Sequence, residues 1–181
     1  MFPGTSLFMG LSYLLGLFEG DGYTWTGTFG ITNRDPEILQ KASDLLSDFG
    51  EVRTRKDLRG SYRVCVVGRP RFRHFIKTIE NQKSILPFHQ NKIAEYFAGK
   101  YDADGSKWKH VIKFKITYGI EKQINYDQKL LFMLGIKSSI RAYKNCNAND
   151  LEISSHSAFL FYELIRKHSI KCLRRTTKFV S

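Results

Sequence analysis

The sequence predicts an α+β protein made of one unit used twice, and three observations predict it. Two stretches ending in Asp-Gly start at residues 14 and 97, an offset of 83. The same order of elements follows each of them. Strand-like alternation sits beside helix-like periodicity in both halves.

The first stretch is Leu-Leu-Gly-Leu-Phe-Glu-Gly-Asp-Gly at 14–22, and the second is Phe-Ala-Gly-Lys-Tyr-Asp-Ala-Asp-Gly at 97–105. After each comes a strand-like run, then a helix stopped by Gly50 in one half and Gly135 in the other, an offset of 85. In the first half Asp35 caps a helix that has Pro36 in its first turn. Ile38, Ala42, Leu45, Leu46 and Phe49 share its apolar face. Arg53–Lys56 and Ser61–Val67 form a hairpin around residues 58–60, and Pro70 to Ser84 forms a helix with Phe72, Phe75, Ile76 and Ile79 inward. The second half gives a helix over Ile120–Leu134, strands over Lys137–Lys144 and Leu151–Ser155, and a helix over Ala158–Lys167. Each half thus reads helix, two strands, helix, two strands, helix, a duplicated αββαββα. The expected units are 1–90 and 91–181, joined at residues 85–95, where Pro87 keeps the junction taut.

The chain has 181 residues, 42% of them hydrophobic, which is enough for a packed core and excludes a disordered or fibrous protein. Lys and Arg number 29 against 17 Asp and Glu, a net +12 that gathers polyanions, nucleic acid first. The share is uneven: residues 1–95 carry 13 basic and 10 acidic side chains, residues 96–181 carry 16 and 7. Cys65, Cys146 and Cys172 match neither a disulfide framework nor a zinc site, so they read as reduced thiols. Leu7–Phe18 is apolar, but no basic residue precedes it and Glu19 and Asp21 follow, so it reads as a buried helix rather than a signal peptide. No run reaches membrane-span length. An intracellular protein with no targeting signal is expected, in a prokaryotic cytoplasm or an organelle matrix.

The repeated stretches carry the chemistry. Gly16 and Gly20 lie four apart on one helix face, as do Gly99 and Ala103 on the other. Small residues so spaced let two helices pack at a pseudo-twofold axis, with Asp21 and Asp104 emerging together and Gly22 and Gly105 ending each helix. Two carboxylates at helix C-termini oppose each other and the helix dipoles. Such a site calls for hard cations, Mg²⁺ first. The bland alternative, that each Asp-Gly is only a helix stop, weakens when the pattern occurs twice in so basic a chain.

On these residues the sequence resembles the LAGLIDADG homing endonucleases in their two-motif, single-chain form. The first stretch matches at Leu14, Gly16, Leu17, Asp21 and Gly22, with Glu19 and Gly20 in place of the usual Asp-Ala. The second matches at Ala98, Gly99, Asp102, Ala103, Asp104 and Gly105, and departs at Phe97, Tyr101 and Lys100. The resemblance implies a saddle of two antiparallel four-stranded sheets in the major groove, with the two motif helices packed at the centre. It implies a monomer that cuts both strands of a long asymmetric DNA target and leaves short 3′ overhangs. It makes Asp21 and Asp104 metal ligands, assisted by the carbonyls of Gly20 and Ala103. Mg²⁺ is the implied cation, with Mn²⁺ able to replace it and Ca²⁺ supporting binding without cleavage. Asn33, Lys92 and Lys178 are the candidates for organising water and charge. The alternative for both lysines is ordinary phosphate contact.

For DNA contact, Lys107, Lys109, Lys113, Lys115 and Thr117 alternate with Trp108, His110, Ile112, Phe114 and Ile116, as on one strand with a basic and an apolar face. Arg34, Arg53, Arg55 and Arg63 are the first-half candidates; Lys137, Ser139, Arg141 and Tyr143 are the others in the second half. The more basic second half is expected to contribute more phosphate affinity. Two rivals keep the fold: an RNA maturase acting on its own intron RNA, and a cleavage-inactive DNA-binding protein. Retention of both Asp21 and Asp104 favours the nuclease.

Overall fold

The computed structural model describes residues 10–56, 60–107, 114–119, 121–143 and 148–176. Among these, α1 (Leu11–Asp21) leads into strands β1 (Gly22–Trp25) and β2 (Thr28–Asn33), helix α2 (Pro36–Leu46), strands β3 (Val52–Lys56) and β4 (Tyr62–Val67), and helix α3 (Arg69–Ile85). A short 3₁₀ turn at Leu86–Phe88 joins this to α4 (Gln90–Asp104), β5 (Gly105–Lys107), β6 (Phe114–Tyr118), α5 (Glu121–Met133), β7 (Ser138–Ala142), β8 (Asn149–Ile153), α6 (Ala158–Ile165) and α7 (Ile170–Thr176). The two sheets are antiparallel and share one strand order, β1-β2-β4-β3 and β5-β6-β8-β7.

Local chemistry explains the element ends. Asp35 Oδ1 accepts from the backbone N–H of Glu37 at 3.1 Å and Ile38 at 3.5 Å, with Pro36 at the first helical position of α2. At the end of α5, Ile136 N–H bonds the Leu131 carbonyl and Gly135 N–H bonds that of Phe132, both at 3.0 Å. This double closure needs a left-handed residue, and Gly135 supplies φ 71°.

The core sits between each sheet and its helices. Ile38, Ala42, Leu46 and Phe75 close over Phe29, Ile31, Val64 and Val66, and the Phe29 and Phe75 rings stack at 4.3 Å. In the second half Phe161 packs on Phe114 at 5.4 Å. Each such buried side chain stabilises the fold by about 1.5–3 kcal/mol. Among the described residues no helix is long and apolar enough to cross a membrane.

Four expectations change. Lys107 and Phe114–Tyr118 are not one strand but the two arms of a hairpin, with Ser106 opposite Lys115 and Lys107 opposite Phe114. The alternation ran on through the connection, so periodicity alone could not reveal the reversal. The strand expected at Leu151–Ser155 begins two residues earlier, at Asn149. Helix α7 was not anticipated. Gly22 and Gly105 do end their helices, but with φ −73° and −77°, not in the left-handed region. What demands glycine there is space: a Cβ on Gly22 would lie 2.1 Å from the Phe18 carbonyl oxygen, and one on Gly105 2.1 Å from the Tyr101 ring.

Candidate active site and nucleic-acid interface

Helices α1 and α4 pack backbone to backbone. A Cβ on Gly16 would meet the Tyr96 carbonyl oxygen at 2.0 Å, and one on Gly99 the Tyr13 carbonyl oxygen at 2.1 Å. Near the helix ends the approach continues, because a Cβ on Gly20 would lie 2.5 Å from Ala103 Cβ and 2.6 Å from Asp104 Oδ2. Small residues at these positions therefore bring Asp21 and Asp104 to one end of the pair.

The two carboxylates are half-buried and repel. Burial, reinforced by the charge of Asp104, pushes Asp21 up to about 6 against the restraining bond from Asn33. Burial likewise raises Asp104, with Lys100 and Lys171 opposing. Asn33 Nδ2 donates to Asp21 Oδ2 at 2.5 Å, while Asn33 Oδ1 accepts from the Asp35 backbone N–H at 2.8 Å. The amide orientation is thus fixed and aims its donor at Asp21.

Lys171, on α7, was not singled out by the sequence. Its Nζ donates to three carbonyl oxygens at the end of α4: Tyr101 at 3.2 Å, Ala103 at 3.1 Å and Gly105 at 3.2 Å. Burial lowers its proton affinity, and Asp102, Asp21 and Asp104 oppose that. Asp102 sets the lysine in place. This buried carboxylate accepts from Tyr13 OH at 2.9 Å, Ser169 Oγ at 2.7 Å, and the N–H groups of Ile170 at 2.7 Å and Lys171 at 3.0 Å. Ser169 Oγ also accepts from Cys172 N–H at 3.2 Å, an N-cap bond that starts α7. Serine three residues before Cys172 was the signal available in the sequence.

Lys92 lies in the first turn of α4, about 18 Å along the helix from Asp104 at 1.5 Å per residue. It does not join the aspartates; its offset of 86 from Lys178 matches the repeat but says nothing about which end of a helix a side chain occupies. Lys178 lies outside the described residues.

Lys100 is buried in full and is compensated. It pairs with Glu19 at 3.5 Å and lies over the Tyr118 ring at 4.5 Å. Glu19 also takes bonds from Lys83 Nζ at 2.6 Å and Tyr96 OH at 2.5 Å.

The open face of the first sheet is a shallow concavity lined by Tyr23, Trp25, Thr28, Thr32, Arg55, Arg63, Cys65 and Val67. Arg53, Arg55 and Arg63 are exposed, and Arg63 lies over the Tyr23 ring at 5.4 Å. Arg34 is exposed between β2 and α2.

The second sheet differs from expectation. Lys115 Nζ, Thr117 Oγ1 and Tyr143 OH each bond Asp150 at 2.7 Å, and Arg141 pairs with Glu152 at 3.6 Å. Asp150 and Glu152 stand in line with these groups across β6, β8 and β7. The face is mixed rather than basic. Ser139 and Lys137 are exposed at β7; Lys109 and Lys113 lie outside the described residues, and only the backbone of Lys107 is described.

A sequence model of the LAGLIDADG-like domain matches residues 10–80, and both halves repeat that architecture around the paired motif helices. Residues 10–80 thus carry a LAGLIDADG-like domain, and the chain as a whole has the LAGLIDADG fold twice over. The LAGLIDADG fold is similar to that of I-DmoI in complex with DNA and Mn, at 20% identity over 86% of this chain and 96% of that one, TM-score 0.69. I-DmoI in complex with DNA and Ca is equally close, at 20% identity, 86% and 88% coverage and TM-score 0.69. The N-terminal LAGLIDADG domain of DUF199/WhiA is similar at 17% identity over 90% of this chain and 83% of that one, TM-score 0.65. No curated protein matches in sequence.

Among the described residues no group of three or more His, Cys, Asp or Glu side chains is placed to hold a metal ion. A cation at these LAGLIDADG helix ends would therefore rest on Asp21, Asp104 and backbone oxygens. The donor set fits that role: burial disfavours the charge on both carboxylates more than Lys100, Lys171 and Asn33 favour it, and no side chain among the described residues bonds the Gly20 carbonyl. The Ala103 carbonyl is already engaged by Lys171.

Proposed function

We propose that the chain is a site-specific endonuclease that hydrolyses both strands of a long, asymmetric duplex DNA target and leaves short 3′ overhangs. One observation carries the reading: two carboxylates with raised proton affinity face each other at the ends of a glycine-packed helix pair. Nothing in a merely structural interface requires that repulsion. I-DmoI, of the same fold, is a homing endonuclease solved with target DNA and with Mn, Mg or Ca.

Asp21, Asp104 and the Gly20 carbonyl would hold divalent cations, Mg²⁺ first. Held there, a divalent cation would supply Lewis-acid chemistry for phosphodiester hydrolysis, favouring a hydroxide nucleophile and offsetting negative charge. The protein's own groups do the rest. Asn33 fixes the Asp21 carboxylate. Lys171 places a positive charge at the Asp104 end of the site, where it attracts a scissile phosphate and offsets the negative end of α4. Arg34, Arg53, Arg55 and Arg63 line the first DNA arm, and Lys115, Thr117, Arg141 and Tyr143 line the second around Asp150. The motif helices already pair within one chain, which supports a monomer.

Mg²⁺-dependent linearisation of a plasmid library, read beside a gel shift in Ca²⁺, tests the proposal. Shift without cutting would leave a DNA-binding protein. No shift on duplex DNA, with retention of structured RNA, would favour the maturase.

A further inference from the structure

The first sheet carries an apolar row where its DNA face should be polar. Trp25, Thr28 and Val67 stand side by side across β1, β2 and β4. Trp25 is 73% exposed and Val67 38%, although Val64 and Val66 of β4 are buried on the other face. The same concavity holds Arg55, Arg63, Thr32 and Tyr23.

The backbone fixes Trp25 in this place. The β1–β2 turn is only Thr26-Gly27, both at positive φ, 40° and 82°. This is the tight two-residue hairpin geometry, and a β-branched residue there is strained. The turn is tied down by Gly68 N–H, which bonds the Gly27 carbonyl at 3.0 Å. Trp25 is therefore presented from a fixed strand end beside a tied-down turn.

We infer that the Trp25–Thr28–Val67 row reads thymine in the major groove by its 5-methyl group. The inference rests on the nuclease reading, which places this face against duplex DNA. The major groove offers one apolar landmark, the thymine methyl, and Trp and Val have the chemistry to cover it. Arg55 and Arg63, paired two rows further along the same face, supply the charge complementarity that holds a duplex on the sheet. Trp25 lies four strand residues beyond Asp21, about 14 Å along β1. That distance is the axial rise of about four base pairs. The thymine read by this row lies about three to five base pairs from the cut, in the half-site under residues 22–67.

The test starts from duplexes recovered by binding selection from a randomised library in Ca²⁺, with the full chain. Selected sites are expected to hold thymine at one such position in one half-site. Replacing that thymine by deoxyuridine removes only the methyl group. It should weaken binding about fourfold, the factor for one buried methyl. Trp25→Ala should weaken binding to the thymine duplex and abolish the thymine–uracil difference. Trp25 is exposed, so the variant folds; unchanged circular dichroism and thermal midpoint verify this. Equal binding of thymine and uracil duplexes by the wild type overturns the inference and leaves the nuclease reading standing. A thymine–uracil difference that survives in Trp25→Ala also overturns it. Failure to select any duplex overturns the reading beneath it.

Discussion

The Tyr13 hydroxyl donates to Asp102 Oδ2 at 2.9 Å across the motif helices, and Tyr96 returns the same bond to Glu19 Oε2 at 2.5 Å. Tyr13 and Glu19 are six residues apart on α1, as are Tyr96 and Asp102 on α4. The interface is self-complementary, as in a twofold dimer whose two copies sit in one chain. The acids have since diverged in what they hold. Glu19 balances the buried Lys100 and the partly exposed Lys83, whereas Asp102 anchors α7.

The helix pair tolerates no side chain at its crossing. Gly99→Ala would place a Cβ 2.1 Å from the Tyr13 carbonyl oxygen, a backbone atom that cannot move alone. A loss of about 3 kcal/mol is expected, at the upper end of overpacking costs. Chemical denaturation of the variant checks this. A midpoint equal to the wild type would mean that the helices stand further apart.

Asp21→Asn and Asp104→Asn should each remove double-strand cleavage in Mg²⁺ and leave duplex affinity equal or slightly tighter. An amide is a poorer, uncharged ligand for Mg²⁺, while affinity comes from the sheets. Cleavage of a supercoiled target beside a gel shift in Ca²⁺ reads both. Linearisation by either variant at the wild-type rate would reduce its aspartate to a helix stop.

The same carboxylate sets a pH dependence. Burial, with Asp104 beside it, raises Asp21 in the folded chain from 3.8 to about 6. Between those values the folded state binds more protons than the unfolded one, so metal-free stability falls as pH rises. At pH 7 the charged Asp21 is a liability that Asp21→Asn relieves; at pH 4 both forms are neutral there. The thermal midpoint of Asp21→Asn minus that of the wild type should therefore grow from pH 4 to pH 7. Ca²⁺ should raise the wild-type midpoint more at pH 7 than at pH 5. A gap independent of pH would show that Asp21 is not perturbed.

The helix starts, the alternation in β6 and the two Asp-Gly motifs were legible because each is written in neighbouring residues. Asp35 caps through contacts two and three positions on, and Gly16 and Gly99 share a helical period with their partners. What escaped is non-local. The pairing of Lys115 with Asp150 joins residues 35 apart, and only strand register brings them together. Lys171 reaches Ala103 from a helix 68 positions later. In that helix no apolar period marks an inward face. Lys92 failed for the opposite reason, since its offset matched but its end of α4 did not.

The mixed second sheet carries its own test. Asp150 is burdened by burial, but bonds from Lys115, Tyr143 and Thr117 outweigh that and hold its carboxyl below the usual range. Asp150→Asn would free Lys115 and remove a negative charge from the proposed DNA face. Affinity for non-specific duplex should rise, and the log–log salt slope should steepen by about one phosphate's worth, 0.9. Anisotropy at several salt concentrations measures both. An unchanged slope would mean that Lys115 stays off the phosphates even when released.

Lys171 makes the two halves of the candidate site unlike. Its ammonium caps the carbonyls of Tyr101, Ala103 and Gly105 behind Asp104, and among the described residues no side chain does the same behind Asp21. There the neighbour is Asn33, neutral and bonded to the carboxylate itself. In the proposed nuclease one strand would thus be attended by a fixed positive charge and the other by an amide. Lys171→Met keeps the apolar stem and removes the charge. Cleavage of the strand served by Asp104 should slow more than that of the other, so nicked circles should accumulate before linear DNA. Some stability is lost with the carbonyl bonds, about 1–2 kcal/mol, which assays well below the variant's melting point tolerate. Lys171→Arg should restore the balance between strands in part, which a purely structural loss would not produce. Equal slowing of both strands would show that Lys171 braces α4 without touching the chemistry.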